Sequence, residues 1–328
     1  MCCEPDLFIT SLSPLAQKEV SMTRVDLITG FLGAGKTTFI KKYIEHLKAA
    51  GEKVLVIENE FGMVNVDAKI LREANCEVGD LTGCCMCCTG KEKFKELLIM
   101  GADKGYDRIV VEPSGIYDVD EFFNVLGSAE VSAKCTIGSI ITILDACNAI
   151  PDTNEGKYLL FCQILSSGTV LISKTDLPGA KGRDGLISSL KGLFAEFKSA
   201  FDETIIHPNA MCDFSEGDYV KVSNAGYHIA PHLKENMVHD EIFGVCEIMA
   251  KCNDEQDLKD RLHRLFTTMS CGKIMRIKGS VMFPDKSFHM VNATGSVADI
   301  DEADGKKGLL VVIGQELDRG EINKAWGL

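Results

Sequence analysis

The stretch GFLGAGKTT, Gly30 to Thr38, constrains this chain more than any other. It satisfies G-x-x-x-x-G-K-[ST] and lies between a β-branched run, RVDLIT, and a segment of helical periodicity that begins at Lys36. In that setting the backbone N–H groups from about Gly33 to Thr37 can turn inward onto a phosphate, with Ala34, Gly35 and Thr38 completing the cradle. The positive end of the following helix adds to the attraction. Lys36 would then reach the β and γ phosphates and the Thr37 hydroxyl would bind Mg2+.

From Arg24 onward, short apolar runs alternate with helical segments. RVDLIT precedes a helix over 36–50, KVLVIENE a helix near 67–75, and a helix is predicted over 91–100. DRIVVEPSG and SIITILDA follow, then helical 155–165, GTVLISKTD and a helix over 185–197. The apolar runs carry little alternation, as strands covered on both faces should. The fold class expected is α/β, a P-loop NTPase with a mostly parallel sheet flanked by helices, plus a smaller C-terminal α+β domain. The domain reading is an N-terminal extension over 1–23, a nucleotide domain over 24–205, a linker over 206–239 where periodicity dissolves, and a second domain over 240–328.

Two further strand ends carry candidate chemistry. LISKTD presents Lys174 and Asp176, with Ser173 before them. A carboxylate at 176 can accept from the N1–H and N2–H2 edge of guanine, which adenine lacks, while the lysine stem packs on the purine face; GTP is therefore favoured over ATP. VVEPSG places Glu112 where a carboxylate can hold Mg2+ through water or orient an attacking water, and Gly115 where its amide can meet the γ phosphate. ENEFGMVNVD brings Glu58, Glu60 and Asp67 to the end of another strand, and Asp67 joins Lys36 and Glu112 as a candidate catalytic group.

GDLTGCCMCCTG, Gly79 to Gly90, packs four cysteines into five positions. A closed zinc site usually spaces its thiol pairs a dozen or more residues apart. One short segment supplies about three ligands and leaves a position open, which suits release. Cys85, Cys87 and Cys88 are the predicted ligands for Zn2+ or Co2+, because residues 85 and 87 point the same way on an extended chain and a turn brings in 88. Glu60 is a candidate fourth donor. A redox switch built on the same thiols is the rival reading.

Bulk properties narrow the classes. The net charge of −13 argues against nucleic acid, and no apolar run approaches the ~20 residues a bilayer crossing needs. The first residues carry neither a basic leader nor an apolar run, so the fourteen cysteines are expected as reduced thiols in a cytoplasmic protein.

Taken in order, TGFLGAGKTT, NEFGMVNVD, CMCC with Thr89, VVEPSG and SKTDL resemble the CobW-type P-loop GTPases, a metallochaperone family of the same class as the nickel-insertion GTPases of urease and hydrogenase. GKIMRIKGSV and the closing LLVVIGQELDRGEINKAW are similar to the family's smaller domain. The resemblance puts the family's C-x-C-C motif on Cys85, Cys87 and Cys88, sets Cys84 where the family usually has glycine, and sets Ser173 where asparagine is common. It implies GTP hydrolysis to GDP, with Mg2+, coupled to delivery of a metal to a client metalloprotein. Homodimerisation is an open alternative, as is an assembly role for a cobalt or corrinoid enzyme or a regulatory G protein that transfers no metal. The family's histidine-rich tract has only His228, His232 and His239 as counterparts, read as scattered surface residues. No obvious arginine finger lies near the acidic motifs of the first domain, since Arg24, Arg72 and Arg108 sit in strand or helix positions, so intrinsic hydrolysis is expected to be slow. Lys273, Arg276 and Lys278 read as a basic run on a sheet edge, either a solvated face or a surface for an acidic client.

Overall fold

The computed structural model describes residues 22–58, 77–80, 91–229, 244–295, 298–303 and 308–328. The predicted sites Asp67, Cys85, Cys87 and Cys88 lie outside these residues, as do Glu60, Cys84, Arg72, His232, His239 and the helix expected near 67–75. In the first domain the order is β1 (Thr23–Thr29), α1 (Lys36–Ala49), β2 (Val54–Glu58), β3 (Glu77–Asp80), α2 (Lys91–Asp103), β4 (Arg108–Glu112), α3 (Val119–Leu126) and α4 (Ala129–Ser132). Then come β5 (Cys135–Asp145), α5 (Asn154–Leu165), β6 (Thr169–Ser173), α6 (Arg183–Glu196) and α7 (Glu216–Ser223).

Among the described residues the strands form a six-stranded sheet in the order β3-β2-β4-β1-β5-β6, with every pair parallel. The uninterrupted apolar runs have a direct cause in its packing. Val25 and Leu27 of β1, Leu55 and Ile57 of β2, and Ile109 and Val111 of β4 face one core with Phe94, Leu98 and Phe122. Their neighbours Ile28, Val56 and Val110 face a second core with Phe39, Tyr43 and Tyr219. These strand residues are thus buried, on one side or the other, and each such aliphatic side chain contributes about 1.5–3 kcal/mol. The order turns at β1, flanked by β4 and β5, so the glycine-rich turn after β1 opens at the crevice where α/β sheets take ligands.

A saturated ion cluster pins the opposite end of the sheet. Arg108 donates to Asp26 Oδ2 at 2.8 Å and forks onto both Glu52 oxygens at 2.6 and 3.0 Å. Asp26 also accepts from Tyr43 Oη at 2.7 Å and from the Ser139 N–H at 2.7 Å. Burial works to lower the Arg108 pKa, but the hydrogen bond to Glu52 and the charge of Asp26 outweigh it and raise it. Gly138 is what admits the carboxylate, since a Cβ there would lie 2.1 Å from Asp26 Oδ1.

Residues 206–229, expected as part of a linker, are packed onto this domain. His207 N–H donates to the Val170 carbonyl and Ile140 N–H to that of Gly226, both at 2.9 Å. α7 starts at a capping box of Ser215 and Asp218 and buries Tyr219 and Val222 beside Phe39 and Tyr43. Eight residues are too few for a helical period to stand out, and tertiary burial supplies the stability that propensity does not.

The second domain runs β7 (Gly244–Met249), α8 (Glu255–Thr267), β8 (Lys273–Met282), β9 (Phe288–Thr294), β10 (Ala298–Ala303), β11 (Leu309–Gln315) and α9 (Arg319–Trp326). Its antiparallel sheet has the order β10-β9-β8-β11-β7. One face, with Ile277, Val281, Val291 and Ala293, packs on Leu258, Leu262 and Trp326. By the two-residue period, Arg276, Lys278, Asn292 and Thr294 take the other face. The basic run expected on a sheet edge is therefore placed differently: β8 is the central strand, and Arg276 and Lys278 are 8% and 4% exposed. A single sequence shows the strand but not its rank in the sheet. No helix among the described residues is long and apolar enough to cross a membrane.

Candidate functional site

The turn after β1 has the backbone its composition suggests. Gly30, Gly33 and Gly35 have φ of 135°, 75° and 94°, left-handed values that favour glycine, and Gly35 caps the start of α1. The amides of the turn and the first turn of α1 thus open toward one cavity of about 300 Å³. Gly33, Ala34, Gly35, Lys36, Thr37 and Thr38 all line it, as do Glu112 and Lys174. Lys36 is buried and its Nζ donates to the Gly30 carbonyl at 2.9 Å and to that of Phe31 at 3.4 Å. A lysine held on carbonyls of its own turn is positioned to exchange them for phosphate oxygens.

Thr37 Oγ1 donates to Glu112 Oε1 at 3.0 Å. A hydroxyl and a carboxylate oxygen so placed at a phosphate cradle form the all-oxygen donor set that Mg2+ prefers, so these residues fit the ion. Glu112 ends β4 and is paired in register with Glu58 of β2, which is paired in turn with Asp80 of β3. Gly115 packs on the turn itself: a Cβ added there would lie 2.6 Å from Leu32 N.

The predicted base-recognition residues divide. Ser173 is buried, with its hydroxyl 2.7 Å from the Ala34 carbonyl and 3.2 Å from that of Leu144, so it ties β6 to the phosphate turn. Lys174 has φ 58°, a backbone state that costs energy for a residue with a Cβ and concentrates at functional sites. Its Nζ pairs with Asp145 Oδ2 at 2.8 Å. Asp176 is exposed two residues on and does not line the cavity. Asp145 was not singled out by sequence reasoning. Its other oxygen accepts from the N–H groups of Cys147 and Asn148, which fixes the carboxylate that orients Lys174. Only the register Asp145↔Ser173 brings the two together, and a sequence does not display it.

The second domain completes the cavity wall with Arg276, Met290, Asn292, Thr294, Asp299 and Asp301. With Lys36, Lys41, Lys174 and Arg276 against Glu112, Asp299 and Asp301, cations outnumber carboxylates in the lining, as a polyphosphate requires. Thr294 touches the turn directly: a Cβ on Gly33 would meet its Cγ2 at 2.5 Å. Of the described first-domain arginines, Arg24 donates to the Ser223 carbonyl, Arg108 is held in the ion cluster and Arg183 donates to the Ile206 and His207 carbonyls; none of the three lines the cavity.

Among the described residues no group of three or more His, Cys, Asp or Glu is placed to hold a metal ion. His228 is exposed. Burial pushes the Cys135 thiol up to about 11 and the Cys252 thiol up to about 12, and also raises Cys246 and Cys271. At pH 8 about one Cys135 in a thousand is thiolate, which makes it a poor nucleophile and a poor ligand. Brief alkylation at pH 8 followed by peptide mapping should therefore modify exposed Cys212 and half-buried Cys147 well before Cys135 or Cys252. Equal labelling of all four would show the interior to be open.

The family profile described as CobW/HypB/UreG, nucleotide-binding domain, matches residues 24–197, and that of the cobalamin synthesis protein cobW C-terminal domain matches residues 250–327. Zinc chaperone YjiA of Escherichia coli is 33% identical over 162 residues, 47% of this chain; the match spans only 50% of that relative's length. Zinc chaperone CobW of Sinorhizobium sp is 26% identical over 344 residues, covering 91% of this chain and 95% of that one. Among solved structures, Zn(II)-bound YjiA GTPase from E. coli aligns over 93% of this chain and 98% of its own at 20% identity, with a TM-score of 0.41. The profiles together span both domains, and the chain belongs to the CobW/HypB/UreG family of P-loop nucleotide-binding proteins, with the CobW C-terminal domain.

Proposed function

We propose that this protein is a GTP-hydrolysing zinc chaperone, which holds Zn2+ as cargo on Cys85, Cys87 and Cys88 and hands it to a client metalloprotein. The observation that supports it most is one of register. The thiol segment follows β3, whose last residue Asp80 is level with Glu58 and so with Glu112, two strands away. At about 4.8 Å per strand, Asp80 lies roughly 10 Å from Glu112, at the same end of the sheet. A change at the γ phosphate thus acts near the point where the chain leaves the sheet for the thiol segment.

The roles follow from the groups present. Amides from Gly33 to Thr38 bind the phosphates, Lys36 neutralises the β and γ oxygens, Lys174 and Asp176 receive guanine, and Glu112 orients the attacking water. Thr37 and Glu112 would hold Mg2+, which would offset charge on the phosphate oxygens. Asp67, Glu60 and Gly115 are the further candidates for contact with water, cargo and γ phosphate. The zinc-chaperone names of the relatives support zinc over cobalt as cargo.

The test is titration of reduced protein with Co2+ as a spectroscopic probe, and with Zn2+ in competition. It is run without nucleotide, with Mg2+-GDP and with a non-hydrolysable GTP analogue, beside a Cys85/Cys87/Cys88→Ser variant. Thiolate-to-cobalt bands at one ion per chain, absent in the variant, with affinity moved about 5- to 150-fold by nucleotide, are expected. Metal affinity indifferent to nucleotide would defeat the carrier reading. A defined disulfide on mild oxidation with no metal bound would replace it with a redox role.

A further inference from the structure

Among the described residues of the first domain no arginine lines the phosphate cavity, yet the second domain supplies one to it. Arg276 lies on the central strand β8, is 8% exposed, and lines the same cavity as Lys36, Thr37 and Glu112. Its position relative to the turn follows from two contacts. Arg276 is the cross-strand partner of Thr294, and the Thr294 methyl packs against Gly33 so closely that a Cβ there would clash at 2.5 Å. Directly opposed residues of an antiparallel pair have Cβ atoms about 4.5–5.5 Å apart and share a face. The stem of Arg276 therefore starts one residue's width from the part of the cradle that meets the β and γ phosphates, a span that an arginine side chain covers.

The guanidinium is also held for a directional task. Nε and Nη2 donate to Asn292 Oδ1 at 3.3 and 3.2 Å, which fixes one edge of the planar group. Asp299, opposite Asn292 on β10, and Asp301 stand on the exposed rim of the same cavity. Arg276 is thus a planar cation on an interior strand that opens on the phosphate cradle, a shape suited to phosphate oxygens.

We infer that Arg276 is a catalytic residue for GTP hydrolysis, supplied to the first domain by the second, with the γ-phosphoryl oxygens as its ligand. The inference rests on the GTPase reading above. In the step it serves, a water oxygen bonds to Pγ as the bond from Pγ to the β–γ bridging oxygen breaks. GDP leaves with that electron pair, and the proton from water is released with inorganic phosphate. Charge grows on the bridging and equatorial oxygens, and a planar fork stabilises it where a point charge does so less well.

Docking of the two domains is then a condition for turnover. Beyond Thr294 on Gly33, Lys273 pairs with Asp152 at 3.3 Å, and Met275 packs with Phe31, Leu32, Ile116 and Leu159. A partner that shifts the second domain would change the hydrolysis rate without touching nucleotide.

The test measures single-turnover GTP hydrolysis and GDP affinity in full-length Arg276→Ala and Arg276→Lys. The lysine variant keeps the charge and most of the stem, so it remains informative if alanine unsettles β8. Hydrolysis is expected to fall roughly 10²- to 10³-fold in the alanine variant, the cost of losing one preorganised transition-state donor. GDP affinity should stay within about threefold, aluminium fluoride should no longer tighten GDP binding, and millimolar guanidinium should restore part of the rate. The lysine variant should also be slow, because it cannot fork. Wild-type hydrolysis in either variant at unchanged GDP affinity would overturn the inference while leaving the GTPase reading intact. A wild-type protein that binds no GTP would remove both.

Discussion

Lys36→Ala is expected to weaken Mg2+-GTP binding by roughly 30- to several-thousand-fold and to abolish measurable turnover, as read by fluorescent-nucleotide titration and phosphate release. Lys36 is buried and already directs its ammonium at carbonyls of the phosphate turn. Truncating one partner of a buried, hydrogen-bonded charge pair costs about 2–5 kcal/mol, and that range converts to the stated loss of affinity. The fold should survive, because the lost bonds lie at the rim of the sheet and Phe39, Ile40 and Tyr43 of the same helix remain in the core. A variant that binds GTP within threefold of wild type would show that the cradle is not the nucleotide site.

The second large effect concerns stability alone. Arg108→Met should lower stability by about 3–5 kcal/mol, because it leaves the Asp26 carboxylate buried and short of its cation. Against a total of about 5–15 kcal/mol that is severe, and the urea midpoint by circular dichroism should fall by on the order of 1–2 M. Adding Asp26→Leu should recover part of the loss, since an apolar pair replaces a broken ionic one. The single tryptophan, Trp326, lies in the core of the second domain, so its fluorescence transition should move less than the dichroism. A shift below about 0.3 M would mean that Tyr43 and Ser139 hold Asp26 without Arg108.

The two predictions act on opposite ends of one sheet. Lys36 follows the carboxyl end of β1, where chain direction and helix dipole gather positive potential, whereas Arg108 opens β4 at the amino end. Hydrolysis and folding are thus separable by mutation. Folded Arg108→Met should keep its GDP affinity, and Lys36→Ala should keep its urea midpoint.

Much of the first domain was legible because its signals are local. The turn at Gly30 to Thr38 needs positive φ at fixed spacings, which glycine supplies, and the helix at Lys36 and the strands at Arg108 and Thr169 announce themselves by composition. α3 was not among the helices read from the sequence, because eight residues make barely two turns and show little period. β3 and β10 escaped notice because four or six residues rich in acidic side chains do not resemble strands until a neighbour pairs with them.

What the amino-acid order determined by itself was the phosphate cradle, the doubly covered strands around it and the thiol motif. Each is written in consecutive residues, where sterics and period act. What only the tertiary structure decided was which strand lies beside which. That order put Asp145 against Lys174, Arg108 against Asp26, and the basic run of β8 inside a sheet whose polar face meets the phosphate turn. The reason is physical: strand order is settled by burial and hydrogen bonding between segments 16 to 240 or more residues apart, and no local propensity carries that information.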